Sequence, residues 1–241
     1  MWKDREFYNP DITIVTALFD GRMTGIPHSV GIYDESWVDK LYRGIARNYS
    51  GTFDFICLTE KKYKFEEPIR EVRYSRSIDQ YGWMSLMEMY RPDLCTGKRF
   101  TIGLDTIITG PLDEIFAYDV KKVAVCTDPI FPKLICNAVT MSTLDFCEEF
   151  WGMWTSDEYN ILQENKLSFG SVSAPSEMVL LRNSYGDSPC LDWIFGGRIL
   201  SYKVHVRSHY QRLEDASIVY FHGVPKPHQI LNESWVVENW K

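Results

Sequence analysis

Arg99-Phe-Thr-Ile-Gly-Leu-Asp-Thr-Ile-Ile-Thr-Gly-Pro-Leu-Asp-Glu-Ile-Phe116 is the stretch on which the fold turns. Phe100–Leu104 is an apolar run that reads as a strand, and Ile107–Thr109 predicts its continuation past Asp105. Pro111–Phe116 predicts a short helix with proline in its first turn. Asp105 is thus a single carboxylate between two apolar half-strands. An ionised carboxylate costs too much to bury unpaired. Either it meets a cation or a cluster of donors, or it caps the following turn; sequence physics leaves both open.

Upstream, apolar runs alternate with helical patterns. Ile12–Leu18 and Phe53–Thr59 read as strands, Ile69–Tyr74 as a third, and Val123–Cys126 as another. Trp37, Val38, Leu41 and Ile45 recur at helical spacing after a Ser36 cap candidate. Trp83, Leu86, Met87 and Tyr90 mark a second helix, ended before Pro92. Residues 143–165 predict helix, while Ser201–Val206 and Ile218–Phe221 predict strands in a more irregular second half. Strands alternating with helices give an α/β fold, a mainly parallel sheet flanked by helices, with an irregular C-terminal lobe. Ligands of such sheets bind outside the carboxyl ends of the strands, which directs attention to Thr16–Arg22 and Leu104–Thr109.

Composition narrows the function. With 241 residues, 45% of them hydrophobic and 24% charged, the chain is neither disordered nor fibrous. No run approaches the ~18 apolar residues of a membrane helix, so no transmembrane segment is expected. A net charge of −7 disfavours non-specific nucleic-acid binding. The polar opening Met1–Glu6 does not read as a secretory signal. The six cysteines form no C-x-x-C pair, and Cys57 and Cys126 sit in apolar runs as reduced hydrophobes would. A cytoplasmic protein is expected.

Motif absences are informative. The chain holds no G-x-x-x-x-G-K-[ST], no G-x-G-x-x-G after the first strand, no G-x-S-x-G and no H-E-x-x-H. His205 and His209 are four apart, but Lys203–Arg207 alternates like a strand, which argues against a metal site there. The segment Ile218–His228 runs an apolar strand into His222 and then holds Lys226 between two prolines. A neutral imidazole suits a divalent metal, and a lysine on a stiff loop suits a phosphate. A satisfied histidine and a solvated lysine are the plain alternative for either residue taken alone. Trp83, Trp151, Trp154 and Trp193 read mainly as packing, with an acceptor-sugar platform as the other use.

The order of these parts resembles a nucleotide-sugar glycosyltransferase of the GT-A fold, near glycosyltransferase family 8, the glycogenin and galactosyltransferase-like group. Gly103-Leu-Asp105 stands where that group has its D-x-D motif, followed by the Gly110-Pro-Leu112 turn and an acidic helix ending at Phe116. His222-Gly-Val-Pro-Lys226-Pro227, with Trp235 and Trp240 nearby, is similar to the group's closing histidine and Gly-x-x-Lys-Pro loop. The resemblance covers residues 11–240. It implies one GT-A-like (Rossmann-like) domain over 1–241, with a nucleotide-binding half to about residue 110 and a donor-sugar and acceptor half after it.

What the resemblance implies is residue-specific. Asp105 and His222 would hold a manganese or magnesium ion (Mn2+ or Mg2+) on the donor diphosphate, with Gly223 and Lys226 facing that diphosphate. Thr16, Ala17, Asp20, Arg22 and Tyr33 would hold the nucleotide, and Asn137 the donor sugar. Glu177 is a weaker match to the acidic pair beneath the sugar. Asp105, Lys226 and Glu177 are the catalytic candidates, and Glu177 and Asp192 the candidate nucleophiles. The implied reaction is metal-dependent sugar transfer from a nucleotide sugar, expected to be a UDP-sugar, with retention of configuration. The acceptor class (glycan, protein, lipid or modified nucleic acid) stays open. Two departures bear on this: the first D-x-D position is Gly103, and His222 directly precedes Gly223. They motivate an alternative, a catalytically degenerate nucleotide-sugar-binding homologue; a nucleotidyltransferase-like enzyme is the third reading.

Overall fold

The computed structural model describes residues 11–25, 31–169, 172–210 and 213–241, so the opening Met1–Glu6 lies outside the described residues. Strands β1 (Ile12–Leu18), β2 (Phe53–Thr59), β3 (Arg70–Arg73), β4 (Arg99–Ile102), β6 (Val123–Thr127) and β7 (Ile135–Ser142) form the main sheet; β5 (Thr106–Ile108) lies outside it. Its spatial order is β3-β2-β1-β4-β7-β6. The first four strands run parallel, with Ile14 opposite both Phe55 and Phe100, while β7 is antiparallel to β4 and to β6. The main sheet is therefore mainly parallel, as the alternation of elements predicted.

Period-2 alternation assigns the two faces. Ile12, Ile14, Phe55, Cys57, Phe100, Ile102, Ala124 and Cys126 belong to one buried cluster; Val15, Ile56, Leu58, Val123 and Val125 belong to another. Helices α1 (Glu35–Asn48) and α3 (Asp113–Ala117) cover the first face through Trp37, Leu41, Ile45 and Phe116. Helices α4 (Leu144–Ser156) and α6 (Glu177–Tyr185) and the 3-10 segment Met84–Tyr90 cover the second. Burial on both faces explains why these strands read as apolar runs rather than alternating ones. Cys57 and Cys126 are fully buried and unpaired, as expected of small hydrophobes. The remaining short helices are α2 (Ile78–Tyr81), α5 (Glu158–Glu164), α7 (Leu191–Ile194) and α8 (Ser234–Asn239). No helix is long and apolar enough to cross a membrane among the described residues.

Three expectations are corrected. The α1 cap is Asp34, which accepts from the backbone N–H of Ser36 at 3.0 Å and from its hydroxyl at 2.6 Å; Ser36 lies inside the helix. The helix predicted around Trp83–Tyr90 is a 3-10 helix. Ile107–Thr109 does not extend β4. The chain breaks at Gly103-Leu-Asp105, and β5 enters a separate small sheet with β10 (Ile199–Ser201) and β11 (Ile218–Tyr220), in the order β10-β11-β5. Strands β8 (Lys166–Phe169) and β9 (Val172–Pro175) pair as a hairpin.

The small sheet sets the register of everything beyond it. Thr106 is opposite Tyr220 in the antiparallel β5–β11 pair, and Ser201 opposite Tyr220 in the parallel β10–β11 pair. The register continues past the strand, since the N–H of Phe221 donates to the Asp105 carbonyl at 2.9 Å. Gly110 allows β5 to turn away: a Cβ there would lie 2.7 Å from the Ala216 carbonyl oxygen, a backbone atom. Gly110→Ala is therefore expected to cost about 1–3 kcal/mol. Gly152→Ala, inside α4 with nothing within 4 Å of the new Cβ, is expected to gain up to about 1 kcal/mol. Urea unfolding of both variants checks this, and a wild-type midpoint for Gly110→Ala contradicts the close approach.

Candidate functional site

A cavity of about 560 Å3 opens at the carboxyl end of β4, as the strand-end rule anticipated. Ala17, Gly103 and Asp105 come to it from the carboxyl ends of β1 and β4, and Asn137 from the antiparallel β7. His222, Gly223 and Lys226 line it from the loop after β11, and Lys203 from the turn after β10. The four groups Asp105, His222, Gly223 and Lys226, over a hundred residues apart in two sequence segments, thus share one wall.

Asp105 meets the cation it requires within the chain. Its Oδ2 accepts from the Lys226 ammonium and, at 3.3 Å, from the Tyr33 hydroxyl. The side chains of the ion pair are only 11% (Lys226) and 22% (Asp105) exposed, so solvent screens them weakly. Lys226 also donates to the Phe221 carbonyl at 3.3 Å. The question left open by the sequence, cap or paired carboxylate, resolves to a pair.

His222 has its Nε2 2.9 Å from the Ser201 hydroxyl. Burial, then Lys203 and Lys226, holds its pKa below the ordinary histidine value, so the ring is neutral at neutral pH. Gly223 has φ 65°, a left-handed conformation that favours glycine. A Cβ at that position would lie 3.4 Å from the Lys203 ammonium nitrogen.

Asn137 and Glu177 are brought together as a hydrogen-bonded pair. Asn137 lines the cavity and its amide Nδ2 donates to Glu177 Oε2. Glu177 is fully buried at the start of α6, and Oε1 finds no hydrogen-bond partner among the described residues. Burial pushes its pKa up to about 7, against the opposing pull of the Tyr90 hydroxyl and the Asn137 amide. It acts on the cavity through Asn137 rather than by touching it.

Other predicted residues lie apart. Thr16 is buried, its hydroxyl donating to the Ile102 carbonyl at 2.7 Å, which ties β1 to β4. Asp20 and Arg22 pair with each other outside the cavity lining, and the Arg22 guanidinium holds the Asp20 carboxyl down to about 2. Tyr33 packs edge-on against Trp37, with ring centroids 4.8 Å apart, and meets the site through its hydroxyl on Asp105 and its ring, whose centroid is 5.9 Å from the Lys226 ammonium. Asp192 accepts from the Thr127 N–H at 2.9 Å at the end of β6, away from the cavity lining. Trp83, Trp151, Trp154 and Trp193 do not line the cavity either.

Lys203 is the residue that sequence reasoning missed. The strand expected over Ser201–Val206 stops at Ser201: although Lys203–Arg207 alternates like a strand, Tyr202–Ser208 forms a π-helical turn directly after β10. Ser201 nucleates it by accepting from the Val204 N–H at 3.2 Å, and Ser208 closes it by donating to the Lys203 carbonyl at 2.8 Å. His205 Nδ1 accepts from the Ser201 N–H at 3.0 Å, and its ring centroid is 6.3 Å from that of His209. A serine at each end of Lys203–Arg207 was the available helix signal. Asp128 and Arg182, also on the cavity, form a 2.5 Å ion pair that anchors the β6–β7 loop to α6.

The ion site that the resemblance implies rests on Asp105 and His222, which both line the cavity, but the Asp105 carboxylate faces the Lys226 ammonium rather than an open position. No group of three or more His, Cys, Asp or Glu side chains that could hold a metal exists among the described residues. Gly103 offers no ligand, and Asp105 already faces an ammonium. A magnesium or manganese ion on a diphosphate takes one or two carboxylates together with phosphate and water oxygens, and here the one carboxylate beside His222 is already paired with an ammonium.

No known family profile matches the sequence, and no curated protein matches it. Solved structures do match. The glycosyltransferase GlyE of Streptococcus pneumoniae superposes with a TM-score of 0.60 at 12% identity, over 96% of this chain and 62% of GlyE. Galactosyltransferase LgtC, in complex with donor and acceptor sugar analogues, gives 0.54 at 10% identity over 95% of this chain and 96% of LgtC. The bifunctional glycosyltransferase WbbM gives 0.60 at 9% identity over 96% of this chain and 51% of WbbM. What is shared is the fold. It is a GT-A-like glycosyltransferase fold, and the chain spans about three fifths of GlyE.

The Glu177 environment has a pH signature. The folded-state pKa of about 7 exceeds the ordinary 4.5, so the unfolded chain loses this proton first as pH rises. The stabilisation is whole below about pH 4.5 and is lost as pH climbs through about 7. Glu177→Gln cannot ionise, so it should gain on the wild type by on the order of 3 kcal/mol between about pH 5 and about pH 8. Urea unfolding at the two pH values measures that difference, and a difference independent of pH refutes the assignment.

Proposed function

We propose that this chain is a glycosyltransferase that moves a sugar from a nucleotide sugar to an acceptor, with the cavity as its donor site. One observation carries the reading: on a glycosyltransferase fold, Asp105, His222, Gly223 and Lys226 converge on one cavity wall, with Asn137 also on the cavity. The diphosphate faces the Lys226 wall, and the sugar lies over Asn137. A UDP-sugar with a hexosyl group is the donor this reading favours. The bond that breaks joins the anomeric carbon to the diphosphate oxygen, and negative charge grows on that oxygen. Lys226 stabilises that charge from a preorganised, weakly solvated position. Asn137, oriented from below by Glu177, holds a sugar hydroxyl.

Among the described residues the carboxylates that line the cavity are Asp105 and Asp128, and each is ion-paired, with Lys226 and Arg182 respectively. Glu177 is buried beneath Asn137, and Asp192 is a strand-end acceptor. None is a free nucleophile for a covalent glycosyl–enzyme step, so retention would proceed with the acceptor entering on the leaving-group face.

The test is a thermal-shift and hydrolysis panel of UDP-, GDP- and CMP-sugars. One nucleotide class should raise the melting temperature, because ligand binding to the native state stabilises it. The matching sugar should be released or transferred at a measurable rate. Lys226→Ala should slow turnover roughly a hundred- to a thousandfold, the usual loss for one preorganised donor. Binding without release or transfer across acceptors would move the chain to the degenerate, donor-binding reading. No stabilisation by any nucleotide would defeat both.

A further inference from the structure

We propose that the diphosphate subsite is neutralised by two lysines in place of a divalent cation, with Lys203 supplying the charge that the ion would bring. The inference rests on the donor-site reading above and concerns how that site balances charge. Lys226 and Asp105 cancel each other. Lys203 lines the same wall beside Gly223 and has no carboxylate within ion-pair distance among the described residues. It therefore leaves this corner with one unbalanced positive charge, in a partly buried place where a phosphate would recover it.

Geometry supports the substitution. The parallel β10–β11 register ends with Ser201 opposite Tyr220, and the Ser201 hydroxyl lies 2.9 Å from His222 Nε2, so the turn carrying Lys203 starts beside His222. The π-helical turn begins at Tyr202, so Lys203 leaves the strand end at once rather than continuing along the sheet. Gly223 places the Lys203 ammonium against the wall: a Cβ at Gly223 would lie 3.4 Å from that nitrogen, in van der Waals contact. Beside Asp105, Gly103 offers a divalent ion no side-chain ligand; its Cβ position is 3.0 Å from Asp105 Oδ1. A divalent ion entering here must displace Lys226 from Asp105 and settle near two ammonium groups. Like-charge repulsion opposes both steps.

The experiment is calorimetric titration of UDP, GDP, ADP and CDP into the whole chain at fixed ionic strength, with EDTA and then with saturating Mn2+ or Mg2+. At least one nucleoside diphosphate should bind with the same affinity in both buffers. Lys203→Ala should weaken it about tenfold or more, the range for a hydrogen bond to a charged group, while Lys203→Arg retains most of it. Asp105→Asn discriminates by sign: in the two-lysine site it frees Lys226 and strengthens binding, whereas in an ion site it abolishes metal-dependent binding. Melting curves of the variants separate lost affinity from lost fold.

A tenfold or larger gain in affinity on adding metal, or loss of binding in a folded Asp105→Asn variant, overturns the two-lysine site and leaves the donor-site reading standing. Unchanged affinity in Lys203→Ala overturns the role of Lys203. Failure of every nucleotide in both buffers defeats the donor-site reading and this inference with it.

Discussion

The antiparallel pairing of β5 with β11 is the constraint on which the candidate site depends. Asp105 immediately precedes β5, and His222 follows two residues after the end of β11. Once Thr106 stands opposite Tyr220, both are neighbours, and the Phe221 N–H to Asp105 carbonyl bond fixes the corner. Slipping that register by one residue would turn each side chain to the other face. The parallel β10 strand then adds Lys203 to the same corner through the second register in the sheet.

Electrostatics completes what the register begins. A buried or half-buried carboxylate needs a counter-charge, and Asp105 finds it in Lys226 rather than in solvent. Asp128 and Arg182 repeat the arrangement across the cavity. Glu177 is the exception: it sits fully buried without a full charge partner and answers by holding its proton to near neutrality. The cavity thus contains paired carboxylates at its wall and a proton-holding one beneath its floor. That division is why Glu177 reads as a positioning residue.

Much of the fold was legible because both faces of the sheet are buried. Ile12–Leu18 and Phe53–Thr59 are continuous apolar runs, and such runs identify interior strands without any tertiary knowledge. Asp105, His222, Gly223 and Lys226 were legible as two short motifs in order. The errors arose where local pattern and long-range pairing disagree. Ile107–Thr109 looks like a continuation of β4 because its residues are equally apolar, and only pairing with β11 takes it to another sheet. Lys203–Arg207 alternates, yet serines at both ends wind it into a helical turn. Thr16, Asp20 and Arg22 follow the strand-end rule in position but find partners among themselves and the backbone, which spacing cannot reveal.

The three-residue strands of the small sheet carry one more consequence, for the order of events during synthesis. The main-sheet strands all lie before residue 143, so their pairings can form while the rest of the chain is still being made. β5 also emerges early, but its partner β11 lies more than a hundred residues later. Contacts of such sequence separation form late, since the loop must close before pairing repays its entropy. The part of the cavity that Asn137 lines can therefore be in place before the wall formed by Lys203, His222 and Lys226. The cavity wall is thus not closed until the segment carrying Lys226 has been made.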